Sequence, residues 1–172
     1  MTQYLGPLEL IGERWVIGDP TRKEGVSIVL TPEGLEHRRR EETAPLFTIE
    51  WSRFMELQVR AAYRRWHTTF GLGFGAPPGA DMGRDGCSLH GMVRHPYDLW
   101  SVRYTHHERR YTAAHVHVLK GLFGGLTEAK ALNRLGDAEW LGAAVAKLSS
   151  HNSPYAPKLN RLVKETLQSL GT

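Results

Sequence analysis

The spacing of apolar residues predicts strands in the first part of the chain and helices after about residue 110. VSIVL (26–30) is rich in β-branched residues, and Thr31-Pro32-Glu33-Gly34 supplies the proline and glycine of a tight turn. We therefore predict an antiparallel hairpin over residues 26–40. Short apolar or alternating segments predict further strands at 8–11, 14–17, 47–51, 54–63, 88–95 and 98–106. The segment 54–63 also fits a helix, but its alternation favours a strand.

Residues 68–87 interrupt this pattern with many glycines and two adjacent prolines. Such a composition is unsuited to the interior of a strand or helix, so we predict a long exposed loop. Loops of this length are usually binding elements or disordered segments. Gly71-Leu72-Gly73-Phe74-Gly75 does not have the lysine and hydroxyl residue that follow in a phosphate-binding loop.

Three helices are predicted after the last strand. Apolar residues from Tyr111 to Leu126 form a stripe at helical spacing, and Thr105 with Glu108 has the spacing of a capping box at its start. Gly121, Gly124 and Gly125 are expected to weaken this helix or break it near its middle. Further helices are predicted at 137–151, beginning at Asp137, and at 155–170.

This order of elements predicts an α+β fold, in which an antiparallel curled β-sheet or partly open barrel is followed by C-terminal α-helices. Residues 1–110 would form the β domain, including the glycine-rich loop at 68–87. Residues 111–172 would form helices that pack on the sheet within the same globular unit. A chain of 172 residues is long enough to bury such a core.

The stretch VSIVLTPEGLEHRRREETAPLFTIEWSRFMELQVR (26–60) resembles bacterial pleckstrin-homology-like (PH-like) domains. A strand, a Pro/Gly turn, a basic strand and an apolar-Xaa-Trp-Ser segment follow one another in the same order. The resemblance implies a PH-like fold, in which the barrel mouth and the sheet faces bind phosphoinositides, peptides or protein partners. It also implies that catalysis is uncommon and that Trp51 is a packing residue.

Composition limits the cellular compartments and the kinds of partner that we expect for this protein. Cys87 is the single cysteine, which excludes an intramolecular disulfide and a thiolate-rich metal cage and suits a reducing cytoplasm. The sequence shows neither a secretory signal nor a transmembrane segment, so a cytoplasmic protein is expected. With 22 basic and 18 acidic residues, the formal net charge is +4, which permits an anionic partner.

Residues 103–118, RYTHHERRYTAAHVHV, contain four histidines and raise the question of a metal or acid–base site. His115 and His117 would share one face of a strand but lie about 200° apart on a helix. Because a helix is predicted, we expect no metal and no cofactor. The alternative is a small His-dependent enzyme or metal-binding protein that uses the histidines of 90–117, with His95 and Asp98 as the best local acid–base pair.

Two arginine clusters are the candidate ligand-binding residues. The first is Arg38, Arg39 and Arg40, and the second is Arg60, Arg64 and Arg65 together with Trp66. Arginine binds anions in forked geometry, although Glu36, Glu41 and Glu42 offset the first cluster.

The sequence thus predicts a non-enzymatic interaction or scaffolding module that docks a protein segment or an anionic ligand on this arginine-bearing surface. No catalytic residue is assigned, and the expected partner is a protein. An anionic lipid headgroup and nucleic acid are the other partners considered, the latter as a basic nucleic-acid-associated protein. The oligomeric state stays open.

Overall fold

The computed structural model describes residues 3–23, 25–61, 87–151 and 155–171. Within these ranges, strands occupy the first part of the chain and helices the last. The strands in these ranges are β1 (Tyr4–Leu5), β2 (Leu8–Ile11), β3 (Arg14–Ile17), β4 (Val26–Leu30), β5 (Gly34–Arg39), β6 (Phe47–Glu50), β7 (Phe54–Arg60), β8 (Ser88–Val93) and β9 (Asp98–Arg103). The helices are α1 (Ala113–Glu128), α2 (Ala138–Ser149) and α3 (Ala156–Ser169), with 3-10 turns at Trp51–Arg53 and Leu132–Gly136. The predicted α+β class is confirmed.

Strands β1 to β6 form one antiparallel sheet in chain order. The predicted hairpin is β4 and β5, with Leu30 opposite Leu35, and the Gly34 amide donates to Thr31 Oγ1 at 3.2 Å across the turn. The sequence did not predict β1, which has only two residues. Trp51 leaves the predicted strand to begin a 3-10 turn, and its indole N–H donates to the Thr31 carbonyl at 2.8 Å. It is buried, as a packing residue would be.

A second antiparallel sheet contains β7, β8 and β9 in that order. Val59, Leu89 and Val102 lie opposite one another across its three strands and are buried. The segment 54–63 is therefore a strand over 54–60, as the alternation favoured. The predicted loop at 68–87 lies, apart from Cys87, outside the described residues.

The two sheets are joined where the chain continues beyond β9. The Thr105 amide donates to the Val26 carbonyl at 2.8 Å, and the Val26 amide donates to Thr105 Oγ1 at 2.9 Å. Asp19 extends the junction, since its amide donates to the Thr105 carbonyl at 2.9 Å. Among the described strands, β6 and β9 are not paired, so the curled sheet stays open between them and forms no closed barrel.

Helix α1 begins later than the sequence predicted. Its cap is Thr112, whose Oγ1 accepts from the His115 amide at 3.1 Å, and the capping box at Thr105 is wrong because the Thr105 hydroxyl serves the sheet junction instead. The expected break at the glycines is also wrong, because α1 runs through all of them. Gly121 lets α3 approach closely, since a Cβ there would lie 3.2 Å from Val163 Cγ2.

Helices α2 and α3 pack with α1 over the sheets, as their apolar faces predicted. Asp137 caps α2 by accepting from the Trp140 amide at 3.0 Å. The Trp15 indole on β3 donates to the Ala138 carbonyl at 3.2 Å, which fixes the start of α2 to the first sheet. One hydrophobic core contains residues of both sheets and all three helices. Within the described ranges, none of the helices combines the length and apolarity needed to cross a bilayer.

Candidate functional site

The first predicted arginine cluster lies at the end of β5, and carboxylates accompany two of its three members. Arg38 Nε and Nη2 both donate to Glu36 Oε2 at 2.7 Å, and Arg39 Nη1 lies 3.2 Å from Glu42 Oε1. Arg40 Nη1 donates to the Thr21 carbonyl. Two of the three glutamates that offset this cluster in the sequence, Glu36 and Glu42, are therefore its direct partners, which reduces the positive charge that it offers to a ligand.

A groove of about 700 Å³ beside Arg38 has a mixed charge. Its lining contains Arg38 and Arg14, but also four carboxylates, those of Glu13, Glu33, Glu36 and Asp137. Because carboxylates outnumber arginines in its lining, the groove disfavours an anionic ligand. It therefore does not support the anion-binding hypothesis at Arg38.

The second predicted cluster is described only at Arg60, because Arg64, Arg65 and Trp66 lie outside the described residues. Arg60 ends β7, where Ser88 lies opposite it and Arg103 lies opposite Ser88 on β9. The pKa of His90, one row away, is lowered by burial and then by the charge of Arg60. Arg60 and Arg103 thus place positive charge at one end of the second sheet.

The outer face of the second sheet changes from basic to apolar along its strands. Strand alternation places three cross-strand rows on this face. They are Arg60, Ser88 and Arg103; then Gln58, His90 and Ser101; and then Glu56, Met92 and Leu99. Leu99 is 81% exposed, although apolar side chains of its size are usually covered. We call these three rows the graded face.

In the described structure, the edge of β9 that faces away from β8 is unpaired at Leu99 and Ser101. The Tyr104 amide donates to the Cys87 carbonyl, which marks these residues as a hydrogen-bonded pair in the β8–β9 ladder. Because such pairs alternate, the N–H and C=O groups of Leu99 and Ser101 point away from β8. The Arg103 carbonyl, two residues further on, points the same way and accepts from His37 Nε2 at 3.3 Å. Within the described residues, no strand pairs with the edge at Leu99 and Ser101.

Among the strands that the structure describes, β6 also has an unpaired edge, on the other side of the opening between the two sheets. The Trp51 amide donates to the Glu33 carbonyl, and the same alternation points the backbone groups of Thr48 and Glu50 away from β5. The two edges are bridged by side chains: the Phe47 and Trp100 rings have centroids 6.1 Å apart and meet edge to face. We call the opening between β6 and β9 the seam.

The four histidines of 103–118 have different hydrogen-bond partners, although His106 and His107 both contact Tyr111. His115 and His117 are on helix α1, where His115 Nε2 lies 3.3 Å from the Ser149 carbonyl and His117 Nε2 lies 2.7 Å from Asn160 Oδ1. His106 stacks on Tyr111, with ring centroids 4.2 Å apart. In the parts of the chain that the structure describes, no three His, Cys, Asp or Glu side chains are grouped to hold a metal ion.

His107 belongs to a buried polar cluster that the sequence did not predict. Its Nδ1 lies 2.7 Å from the Tyr111 hydroxyl, which also accepts from the His107 amide at 3.0 Å. His107 Nε2 lies 3.1 Å from Glu9 Oε2, without the alignment of a hydrogen bond. A proton on Nε2, facing that carboxylate, leaves Nδ1 to accept from the Tyr111 hydroxyl. Arg109 Nη1 contacts the same Glu9 oxygen.

This cluster fastens residues 107–111 to strand β2. Burial, and then the charge of Arg109, lower the pKa of His107 from its ordinary 6.5 to about 4, against the opposing charges of Glu9 and Asp19. Burial raises the pKa of the Tyr111 hydroxyl. Sequence patterns could not reveal the cluster, because Glu9 and His107 are joined only by the fold.

Cys87 lies in a structural position, and His95, one of the acid–base pair considered above, lies in an exposed one. Cys87 is buried beside Tyr104, whose hydroxyl donates to the Arg60 carbonyl at 2.6 Å. His95 is exposed in the turn between β8 and β9, and its ring lies 6.1 Å from that of Tyr97.

Comparison with protein-family models, curated proteins and solved structures finds no match for this chain. The PH-like resemblance therefore stays a prediction.

Proposed function

We propose that this protein is a non-enzymatic, PH-like interaction module that binds an extended, acidic segment of a protein partner at the seam. The observation that carries the proposal is the edge of β9 at Leu99 and Ser101, which no strand among the described residues pairs, beside a leucine that is 81% exposed.

An extended peptide is the occupant that matches this geometry. A strand added to a sheet edge gains main-chain hydrogen bonds, and its alternate side chains contact the adjoining face. The outward N–H and C=O groups of Leu99 and Ser101 would form the ladder. Leu99 and Met92 would contact an apolar side chain of the peptide.

The charge of the graded face favours acidic residues in that segment. Arg60 lies in the row furthest from Leu99, so a carboxylate there would gain from the charge of its guanidinium. The formal net charge of +4 adds a weak attraction at long range. A peptide with an apolar residue at one end and acidic residues at the other matches this gradient.

The first experiment selects peptides directly. A displayed library of random eight-residue peptides is selected against the full chain, and the enriched peptides are synthesised and titrated. We expect them to share an apolar residue and, a few positions away, one or two carboxylates. If no sequence is enriched, the proposal fails.

Ser101 provides the matched pair of variants. Ser101→Pro removes an edge N–H without removing a bond to β8, and proline is tolerated on edge strands, whereas Ser101→Ala removes only the hydroxyl. We expect the proline variant to bind at least about fivefold more weakly, given the usual strength of one hydrogen bond, and the alanine variant to bind like the wild type. Equal binding by all three proteins would contradict an added strand.

Vesicles that contain anionic lipid, and a single-stranded oligonucleotide, test the other partner classes. If either binds more tightly than the selected peptides and is insensitive to Ser101→Pro, that partner replaces the peptide.

A further inference from the structure

A second groove, of about 510 Å³, lies between the start of β7 and the end of helix α1. None of its described lining residues belongs to β6 or β9, the strands that border the seam. Its apolar lining is Trp51, Phe54, Met55 and Leu132, and its charged lining is Arg94 and Lys130. Among the described residues that line it, none is a carboxylate. An apolar floor with a few charged groups is the usual character of a small-molecule site, and the volume falls in the usual range.

Arg94 is held in position from the sheet side of the groove. Its amide donates to the Arg53 carbonyl at 2.9 Å, and its Nε donates to the Ser52 carbonyl at 2.8 Å. These bonds fix the backbone and the inner edge of the guanidinium. In the described part of the chain, no carboxylate forms an ion pair with Arg94, so its terminal nitrogens keep their capacity to donate to an anion.

Lys130 reaches the groove from the helix side, and its backbone is strained. The Lys130 amide donates to the Thr127 carbonyl and the Ala131 amide to the Leu126 carbonyl, which is the pattern of a Schellman motif. The residue after the helix cap in that motif is usually glycine, yet Lys130 adopts φ 54° there. Strained residues of this kind are concentrated at functional sites.

We propose that this groove binds a small amphipathic anion, with a carboxylate between Arg94 and Lys130 and an apolar chain against Trp51, Phe54 and Leu132. This inference rests on charge complementarity. Arg94 and Lys130 have no carboxylate partners among the described residues, and both line the same groove with its apolar floor. A phosphate monoester on the same apolar chain shares this chemistry, so the experiment compares both headgroups.

Titration of the full chain with decanoate, below its micellar concentration, tests the proposal by calorimetry and tryptophan fluorescence. Decanol supplies the chain without the charge, and acetate supplies the charge without the chain. We expect saturable binding of decanoate and binding at least about tenfold weaker for each control, given the strength of hydrogen bonds to charged groups. Decyl phosphate shows which headgroup is preferred. Equal binding of decanol and decanoate would overturn the proposal.

Variants at Lys130 separate binding from folding. Lys130→Gly removes the ammonium and also relieves the positive φ, so its thermal midpoint should rise while decanoate affinity falls about tenfold. Lys130→Arg keeps the charge and should retain binding within about threefold. Arg94→Gln should weaken binding by a similar factor to Lys130→Gly. If Lys130→Gly and Arg94→Gln both bind decanoate like the wild type, the cations do not form the site.

Discussion

At the scale of single residues, His107 shows how the fold changes the chemistry of a side chain. In the sequence it is one of two adjacent histidines in a basic segment. In the structure it is 6% exposed and lies between Tyr111, Glu9 and Arg109. Burial and the Arg109 charge lower its pKa to about 4, which makes it a neutral, structural histidine at neutral pH.

The first prediction concerns stability in acid. The unfolded chain binds a proton at His107 near the ordinary pKa of 6.5, whereas the folded chain binds it only near 4. The contribution of neutral His107 to the free energy of unfolding is therefore complete above pH 6.5 and is lost as the pH falls towards 4. Between pH 7 and pH 5 this histidine should lower the free energy of unfolding by about 2 kcal/mol. Urea unfolding at several pH values measures the effect.

His107→Asn should flatten this pH dependence, because the asparagine side chain does not titrate. It should also be less stable at pH 7, since it loses the imidazole beside Glu9. His95→Asn is the control, because His95 is exposed and asparagine suits its φ of 62°. An unchanged pH profile for His107→Asn would contradict the assignment.

At the scale of elements, the sequence predicted most strands and helices because their signals are local. Pro32 and Gly34 marked the β4–β5 turn, and Asp137 marked the start of α2. The wrong predictions arose where contacts between residues distant in the sequence decide the structure. Thr105 has the spacing of a cap, but its hydroxyl accepts from the Val26 amide, and Thr112 caps the helix instead. The glycines of α1 suggested a break, but α3 packs closely against Gly121 and Gly125, where a larger side chain would meet Val163 or Leu167.

The second prediction compares two of these glycines. Gly124 has no heavy atom within 4 Å of the position of an added Cβ, whereas Gly121 faces Val163 at 3.2 Å. Gly124→Ala should therefore raise the free energy of unfolding by about 0.5–1 kcal/mol, through helix propensity alone. Gly121→Ala should gain less or lose stability, because Val163 must move. Denaturant unfolding of both variants checks the order, and a larger gain for Gly121→Ala would refute this account of the packing.

At the scale of the whole molecule, the seam and the graded face arise from how the two sheets meet. The sequence could place Leu99, Ser101 and Arg103 on one side of a strand. It could not show that this strand is an edge, because edges depend on which strands fail to pair. The arginines 38–40 looked similar to Arg60 in the sequence, but Glu36 and Glu42 pair with the first two of them.

The third prediction follows from the charge gradient. Peptides selected on the seam should bind more weakly as NaCl rises from about 0.05 to 0.5 M, by about three- to tenfold, because salt screens exposed charges. Arg60→Gln should reduce this dependence. Leu99→Ser should instead weaken binding by a similar factor at every salt concentration. The two effects are separable by titration, and a salt dependence that Arg60→Gln leaves unchanged would remove Arg60 from the interface.

The hydrogen bond from Trp15 to Ala138 has a consequence for how the chain reaches its native state. It joins residues 123 positions apart, so the first sheet gains its helical cover late in synthesis. The Thr105–Val26 bond imposes a similar delay, because a segment near the middle of the chain, just beyond β9, closes the junction with a sheet near its start. Contacts between such distant residues slow folding, and we expect refolding on the order of milliseconds to seconds. During that interval the nascent sheet has open edges, and unpaired strand edges of this kind make a partly folded chain prone to aggregate.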